Sequence, residues 1–169
     1  MPLNSKKPQN ANLGALLKGL KEAGVDFILV GGVAAVAQGA PVTTIDLDIV
    51  HHRTDKNIKK LVKFLKSVNA CQRRPDEKII EPAIRDLKGE GHVLLATDFG
   101  PLDVLSTIEN RCGYEELLPD SVEIEFKGHK ISILSLEAMI NMKIEAEIPE
   151  DKYRLQILKE TLKQLKNEA

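Results

Sequence analysis

The sequence predicts an α/β fold in which helices flank a β-sheet and a helical segment ends the chain. Short apolar runs that end in glycine or polar residues alternate with stretches of helical periodicity, and one stretch alternates strictly between polar and apolar residues. The length of 169 residues suits one domain, because domains usually hold about 100 to 200 residues. We therefore expect a single domain over residues 1–169, with residues 1–11 as a loose arm and residues 135–169 as C-terminal helices.

The N-terminal part of the chain predicts a helix, a strand, a glycine turn and a second helix. Asn12 is a residue type that caps helices, and Gly24 suits the left-handed end of the helix that follows it. The apolar run 27–30 predicts a buried strand that ends at Gly31-Gly32. Residues 33–38 are rich in alanine and predict a short helix.

A strictly alternating stretch, residues 44–49, predicts the next strand. Because successive side chains of a strand point to opposite faces, Thr44, Asp46 and Asp48 share one face. Ile45 and the other apolar residues of the stretch share the opposite face. Both carboxylates are therefore expected to point in the same direction.

The remaining elements follow from periodicity and turn residues. Residues 55–69 predict an amphipathic helix, and residues 70–90, which are interrupted by prolines, predict a loop-rich excursion with one short element. Ser135 can cap one C-terminal helix, and Glu150 and Asp151 can open the last one. Four further strands are predicted, over residues 92–96, 102–105, 122–126 and 130–134.

Composition excludes several classes of protein. No apolar run approaches the roughly 18 residues that a membrane span requires, and residues 1–12 lack the apolar centre of a secretory signal. The net charge of −1 gives no global field that would attract nucleic acid. Cys71 and Cys112 show no spacing typical of a disulfide framework or a zinc site. A cytoplasmic protein without a membrane partner is the simplest expectation.

The aspartate pair on the alternating strand indicates a metal site. Two ionised carboxylates on one strand face repel each other, and they destabilise the fold when they are buried without a partner. A divalent cation removes this conflict, and Mg²⁺ or Mn²⁺ prefers oxygen ligands. Mg²⁺ usually takes one or two protein carboxylates together with substrate phosphates, so the pair Asp46 and Asp48 implies a phosphate-bearing ligand.

The order of these motifs resembles a known superfamily. Gly31-Gly32, a short helix, and then Asp46-Leu47-Asp48 with Thr44 two residues ahead are similar to the signature of the DNA polymerase beta type nucleotidyltransferases. This resemblance implies a nucleotidyltransferase-like mixed sheet flanked by helices. It also implies transfer of a nucleoside monophosphate from a nucleoside triphosphate, with ATP as the expected choice, to a hydroxyl group on protein, RNA or a small molecule.

The segment 39–48 is most similar to a small bacterial branch of that superfamily, which includes abortive-infection and toxin–antitoxin nucleotidyltransferases. In that branch a third carboxylate stands on a later strand, and Asp103 in the stretch 100–105 matches it. Lys143 matches a residue of the closing helical segment. The likeness extends in patches from residue 25 to residue 158.

The resemblance implies a role for each matched residue. Asp46 and Asp48 would hold the metal ion that grips the triphosphate, and Asp103 would complete a second metal site that activates the attacking hydroxyl. Pyrophosphate would leave. The residues expected to contact the nucleotide are Gly31, Gly32, Thr44 and Lys143.

Three positions depart from the pattern of the branch. Val42 stands where the branch often has arginine, and Ile148 and Glu150 stand where its closing segment often has basic residues. Such a loss of positive charge weakens a phosphate site. It leaves open an alternative hypothesis, a catalytically weak or inactive nucleotide-binding module that acts in a toxin–antitoxin or regulatory pair with a small helical partner protein.

Two further alternatives concern the carboxylates themselves. Asp98 competes with Asp103 as the third carboxylate, but Asp103 lies inside the apolar stretch of a predicted strand. The stretch 46–50 also resembles, superficially, the nucleophile motif of the haloacid dehalogenase phosphatases. A phosphatase is the weaker enzymatic hypothesis, because that family's later Lys and acidic motifs have no counterpart in this sequence.

Overall fold

The computed structural model describes residues 11–76, 78–109, 112–146 and 152–168, with the backbone alone for residues 143–146. A seven-stranded sheet lies at its centre. The strands are β1 (Phe27–Val30), β2 (Leu47–His51), β3 (Cys71–Gln72), β4 (His92–Thr97), β5 (Gly100–Leu105), β6 (Ser121–Phe126) and β7 (His129–Leu134). The helices are α1 (Leu13–Glu22), α2 (Gly31–Ala37), α3 (Asp55–Ser67), α4 (Ile84–Lys88), α5 (Tyr114–Leu117), α6 (Leu136–Ala146) and α7 (Lys152–Glu168).

The sheet is mixed, and its order brings distant parts of the chain together. The strands lie in the order β3-β4-β5-β2-β1-β7-β6. β2 runs parallel to β5, and β1 runs parallel to β7, whereas the other neighbours are antiparallel. The predicted fold class, a mixed sheet flanked by helices with a C-terminal helical segment, is confirmed. The parallel pair of β2 and β5 lies near the middle of the sheet and carries the acidic residues.

The residues that alternate with the acidic ones along the central strands are buried in the core. Leu47 and Ile49 of β2 and Leu102 and Val104 of β5 are all 0% exposed. The same buried cluster contains the apolar stripes of α1 and α3, which the helical spacing in the sequence predicts: Leu16, Leu17, Leu20, Ile58, Leu61 and Leu65. Because side chains alternate along a strand, Asp48 and Asp103 lie on the opposite face of the sheet from those four strand residues.

The prediction that residues 44–49 form one strand is wrong at its start. The strand begins at Leu47, and Ile45, expected on the buried face, is 71% exposed. The reason is the lack of a partner strand: β1 ends at Val30, which pairs with Asp48, and the chain then turns into α2. The residues before Leu47 therefore have no β1 backbone to pair with, and they lie in a loop.

Two other boundaries differ from the sequence-based expectation. The helix predicted over residues 33–38 begins earlier, at Gly31, so the two glycines form its first turn. Gly100 and Pro101, expected between two strands, belong to β5, where Pro101 pairs with Ala96. The turn between β4 and β5 is formed by the two residues that precede Gly100.

The excursion over residues 70–90 contains two short elements instead of one, β3 and α4. Periodicity cannot reveal elements this short, and the same holds for α5, which the sequence did not predict. Of the expected loose arm, residues 1–10 lie outside the described residues. Asn12, which directly follows the arm, is held in place because its backbone N–H donates to the Phe99 carbonyl at 2.7 Å.

The C-terminal helices form as predicted. Ser135 caps α6, because its Oγ accepts from the Ala138 N–H at 3.1 Å. The expected opening of the last helix by Glu150 and Asp151 lies outside the described residues. Among the helices that the structure describes, none is long and apolar enough to span a bilayer.

Candidate functional site

The parallel pairing of β2 and β5 brings three carboxylates together. Asp48 of β2 lies in register with Asp103 of β5, and paired residues of neighbouring strands face the same side of a sheet. Asp46 lies in the loop directly before β2. Each of the three offers one carboxylate oxygen, and these oxygens all lie within 4.8 Å of one another. The three side chains that the sequence singled out thus form one half-buried acidic cluster.

Asp98, the competing third carboxylate, lies elsewhere. It belongs to the turn between β4 and β5, where its Oδ2 accepts from the Asn69 side chain at 2.6 Å. The register of β2 with β5 selects Asp103, because Asp103 is the residue that pairs with Asp48.

The glycine turn packs directly against the acidic cluster. Gly31 has φ of +70°, a conformation that other residues rarely adopt, and a Cβ atom there would collide with the Asp48 carboxylate. A Cβ atom on Gly32 would lie 2.7 Å from both Cβ and Oγ1 of Thr44. The Thr44 hydroxyl in turn donates to the Asp46 carbonyl at 3.1 Å. Both glycines are therefore needed for the approach of the turn to the aspartates.

The cluster carries negative charge that the neighbouring Arg73 balances only in part. Burial raises the pKa of Asp48 from its ordinary value to about 7, and a hydrogen bond with Asp103 and the charges of Asp46 and Asp103 act in the same direction. The positive charge of Arg73 opposes this rise. A hydrogen bond between two carboxyl groups requires a proton on one of them, so near neutral pH the cluster is suited to hold either a proton or a cation.

The donor set fits a hard divalent cation. Three carboxylates supply oxygen ligands, which Mg²⁺ and Mn²⁺ prefer, and such an ion would displace the proton that the raised pKa of Asp48 favours. Aspartates at a protein surface often cluster without binding metal. Here burial and the approach of Gly31 restrict the space around Asp48, which distinguishes the cluster from a solvated acidic patch.

Sequence analysis missed Arg73. Its Nη2 donates to Oδ1 of Asp103 at 2.5 Å, and the Asp103 side chain is only 13% exposed. The backbone explains the contact, because the Arg73 N–H donates to the Leu94 carbonyl and Leu94 pairs with Asp103. Arg73 lies in the proline-interrupted excursion, and no local sequence pattern indicates a contact that spans two strands.

A second arginine that the sequence did not indicate lies beside the glycine turn. Arg154 of α7 donates from Nη2 to the Thr43 carbonyl at 3.3 Å. The same Nη2 would lie 3.3 Å from a Cβ atom on Gly32. The structure therefore places a guanidinium group next to the turn, although Val42, Ile148 and Glu150 lack the expected positive charge.

The remaining predicted nucleotide contact is Lys143. It lies on α6, and its side chain is outside the described residues. Ile148 and Glu150 also lie outside them. Lys143 therefore stays a prediction from the sequence.

Comparison with known proteins extends this picture. No family model matches the chain, and no curated protein matches it. Among solved structures, the lincosamide antibiotic adenylyltransferase LnuA, in its lincomycin-bound form, matches with a TM-score of 0.58 at 16% sequence identity. That match covers 89% of this chain and 98% of LnuA. The chain has a nucleotidyltransferase fold.

Other solved structures with this nucleotidyltransferase fold also match. A Thermotoga maritima protein, TM1012, provisionally assigned as a nucleotidyltransferase, matches with a TM-score of 0.53 at 20% identity, covering 93% of this chain and 91% of that one. The antibiotic-resistance factor ANT(2'')-Ia, in complex with adenylyl-2''-tobramycin, matches with a TM-score of 0.54 at 14% identity, covering 90% and 87%. The finer resemblance to the abortive-infection and toxin–antitoxin branch stays a prediction.

Proposed function

We propose that this protein is a metal-dependent nucleotidyltransferase, which transfers a nucleoside monophosphate from a nucleoside triphosphate to a hydroxyl acceptor and releases pyrophosphate. The observation that supports this function best is the convergence of Asp46, Asp48 and Asp103, with ligand oxygens within 4.8 Å of one another, in a chain with a nucleotidyltransferase fold. Three carboxylates, one of which lies against a glycine turn, are suited to a cation bound to phosphate groups.

In this proposal the acidic cluster holds Mg²⁺ or Mn²⁺ through Asp46, Asp48 and Asp103. When bound, the ion would neutralise phosphate charge and lower the pKa of an attacking hydroxyl. The acceptor oxygen forms a bond to the α-phosphorus while the bond from that phosphorus to pyrophosphate breaks. The hydroxyl proton passes to a carboxylate of the cluster.

The residues around the glycine turn would bind the triphosphate. Gly31 and Gly32 have no side chains to block an approach to the backbone N–H groups at the start of α2. Arg154 supplies a guanidinium group beside that turn, and guanidinium groups bind phosphate strongly. Thr44 fixes the loop that carries Asp46 through its bond to the Asp46 carbonyl. Lys143 is a further predicted phosphate contact.

ATP is the first nucleotide to test. LnuA is an adenylyltransferase by name, and ANT(2'')-Ia was captured with an adenylylated tobramycin. Two neighbours with this fold thus handle an adenylyl group. We therefore expect this chain to accept ATP.

A direct assay tests the proposal. The protein is incubated with each α-labelled nucleoside triphosphate, Mg²⁺, and either the low-mass or the macromolecular fraction of a cell extract. We expect label to enter an acceptor in one fraction, and we expect Asp48→Asn to lower the rate of transfer about 10³-fold. Clear nucleotide binding by the wild-type protein without transfer to either fraction would reject the enzymatic function.

The alternative hypothesis was a catalytically silent module in a toxin–antitoxin or regulatory pair. It predicts a stable complex with a small helical protein. Within the part of the chain that the structure describes, this alternative gains no support, because the acidic cluster is complete and Arg154 lies beside the glycine turn. The transferase is therefore the function we propose.

A further inference from the structure

A cavity of about 420 Å³ lies at the edge of the sheet beside the acidic cluster. It forms where β3 ends, because β3 pairs with β4 only at Leu95 and Ala96. The half of β4 from His92 to Leu94 extends beyond that end. We call this space the edge cavity, and six of the residues that line it are Gln72, Arg73, Asp86, Gly91, His92 and Leu94.

The edge cavity adjoins Asp103 on the side away from Asp48. β5 lies between β4 and β2, so Asp103 has Leu94 on one side and Asp48 on the other. Leu94 pairs with Asp103 and therefore shares its face of the sheet. Arg73 both lines the cavity and donates to the Asp103 carboxylate. A molecule in the cavity would lie one strand away from the third carboxylate.

The size and lining of the cavity indicate the class of ligand. Small-molecule sites usually have volumes of about 300 to 1,000 Å³. The lining contains an amide, an imidazole, a guanidinium and a carboxylate, which are groups that form hydrogen bonds with hydroxyl groups. Nε2 of the His92 imidazole already contacts the Thr107 carbonyl at 3.2 Å, which leaves its Nδ1 for a ligand.

Arg73 and Asp86 carry opposite charges, and each already has a partner: Arg73 pairs with the Asp103 carboxylate, and Asp86 accepts from the Ala83 N–H. Leu94, 42% exposed, adds one apolar surface.

We propose that the edge cavity binds the acceptor of the reaction, and that the acceptor is a small, hydroxyl-rich molecule with little net charge. This inference rests on the proposed function and specifies its second substrate. Bound there, the acceptor can extend one hydroxyl group past Leu94 towards Asp103. A nucleoside triphosphate held at Asp46 and Asp48 would approach the same carboxylate from the other side.

The chain offers a blocking variant that leaves the fold intact. A Cβ atom on Gly91 would have no other atom within 4 Å, so Gly91→Phe introduces a ring into open space at the cavity wall. Gly89→Phe is the matched control. Gly89 does not line the cavity, and a Cβ atom there would make only ordinary contacts, at 3.7 Å, with the Arg85 and Asp86 carbonyls.

The test is methyl NMR of Val93 and Leu94 during titration with glucose, sucrose, myo-inositol and sorbitol, and separately with a short RNA that carries a free 3'-hydroxyl. We expect at least one of the four small molecules to shift these methyl signals in the wild-type protein and in Gly89→Phe. We expect Gly91→Phe to weaken the same interaction by about tenfold or more. Unchanged ATP binding by Gly91→Phe would verify its fold.

Three results would overturn the proposal: no shift with any of the four small molecules, shifts that persist at equal affinity in Gly91→Phe, or shifts with the RNA alone. ATP binding in the presence of Mg²⁺, and its loss in Asp48→Asn, tests the proposed function separately. ATP binding without small-molecule shifts would reject the acceptor site alone. Small-molecule shifts without ATP binding would reject the transferase and, with it, the acceptor role.

Discussion

The two faces of the central strands β2 and β5 differ in what their residues contribute. On one face Leu47, Ile49 and Leu102 are completely buried and belong to the core. On the other face Asp48 and Asp103 lie in register, close enough that burial and mutual repulsion raise the pKa of Asp48 to about 7. Adjacent residues of the same strands therefore stabilise the fold on one side and weaken it on the other.

This difference shows which residues are present for stability and which need another explanation. Packing accounts for the apolar face without any ligand. The acidic face lowers the stability of the metal-free protein, and it is consistent with binding of a cation and a phosphate-bearing substrate. Substitutions on the two faces should accordingly separate function from stability.

The largest effect is expected from Asp48→Asn. It removes the central carboxylate, and we expect the transfer rate to fall about 10³-fold, equivalent to about 4 kcal/mol of transition-state stabilisation. Asp98→Asn is the matched control, because Asp98 is a carboxylate outside the cluster. The steady-state rate of nucleotidyl transfer is measured for both variants and compared with that of the wild-type protein. Equal loss in both variants would contradict the assignment of the acidic face.

The opposite result is expected from Leu102→Ala on the core face. Removing a fully buried leucine side chain should lower the free energy of unfolding by about 2–5 kcal/mol. Urea denaturation measures this loss. Because Leu102 faces away from the acidic cluster, the affinity of the folded protein for ATP should remain unchanged. A large loss of ATP affinity at full folding would show that the two faces are not separable.

Next in size is the effect of Gly31→Ala, compared with Gly128→Ala. Both glycines have positive φ, +70° and +80°, but a Cβ atom on Gly128 meets nothing within 4 Å. Gly128→Ala should therefore show the conformational strain alone, about 1–2 kcal/mol of stability. Gly31→Ala should add a collision with Asp48 and weaken Mn²⁺ and ATP binding at least about tenfold. Calorimetric titration measures the Mn²⁺ and ATP affinities of both variants. Equal affinities would contradict the close packing of Gly31 against Asp48.

A smaller effect is expected from Arg154→Ala. Loss of the guanidinium beside the glycine turn should weaken ATP binding about tenfold, or about 1.4 kcal/mol. Lys159→Ala removes the same charge from an exposed position of the same helix and is the control. If both variants weaken binding equally, Arg154 acts only through the general charge of α7.

The smallest effect is a difference in pH dependence without divalent ions. Asp48 has a folded pKa of about 7, above its ordinary 3.8, so the folded protein retains a proton that the unfolded chain loses between these values. Wild-type stability should therefore decline as the pH rises through this window. Asp48→Asn has no carboxyl group to lose this proton, so it avoids the decline. The difference in melting temperature between Asp48→Asn and the wild-type protein should therefore grow in favour of the variant from about pH 5 to about pH 8.

His51 provides an internal check on that measurement. It lies on the core face of β2, and burial lowers its pKa, so its contribution is lost as the pH falls below about 6.5. His51 is present in both proteins, and its effect should cancel from the difference between them. An advantage of Asp48→Asn that shrinks towards pH 8 would contradict the raised pKa of Asp48.

The sequence by itself determined the local parts of the site. The apolar run before Gly31-Gly32, the alternation around Asp46 and Asp48, and the apolar stretch that contains Asp103 are all properties of neighbouring residues. Such patterns follow from the geometry of strands and turns, which depends on a few residues at a time. They were sufficient to predict the strands, the helices and the shared face of Asp46 and Asp48, whereas the mixed sheet and the convergence with Asp103 were implied by the resemblance to the nucleotidyltransferases.

Only the tertiary structure decided which arginine side chains lie beside the carboxylates and the glycine turn. It also decided where β2 begins. Arg73 reaches Asp103 across 30 residues of sequence, and Arg154 reaches Thr43 across 111. The start of β2 depends on where β1 turns away, and the edge cavity depends on the short length of β3. These features arise from pairing between distant strands and helices, and hydrophobic periodicity carries no information about such pairing.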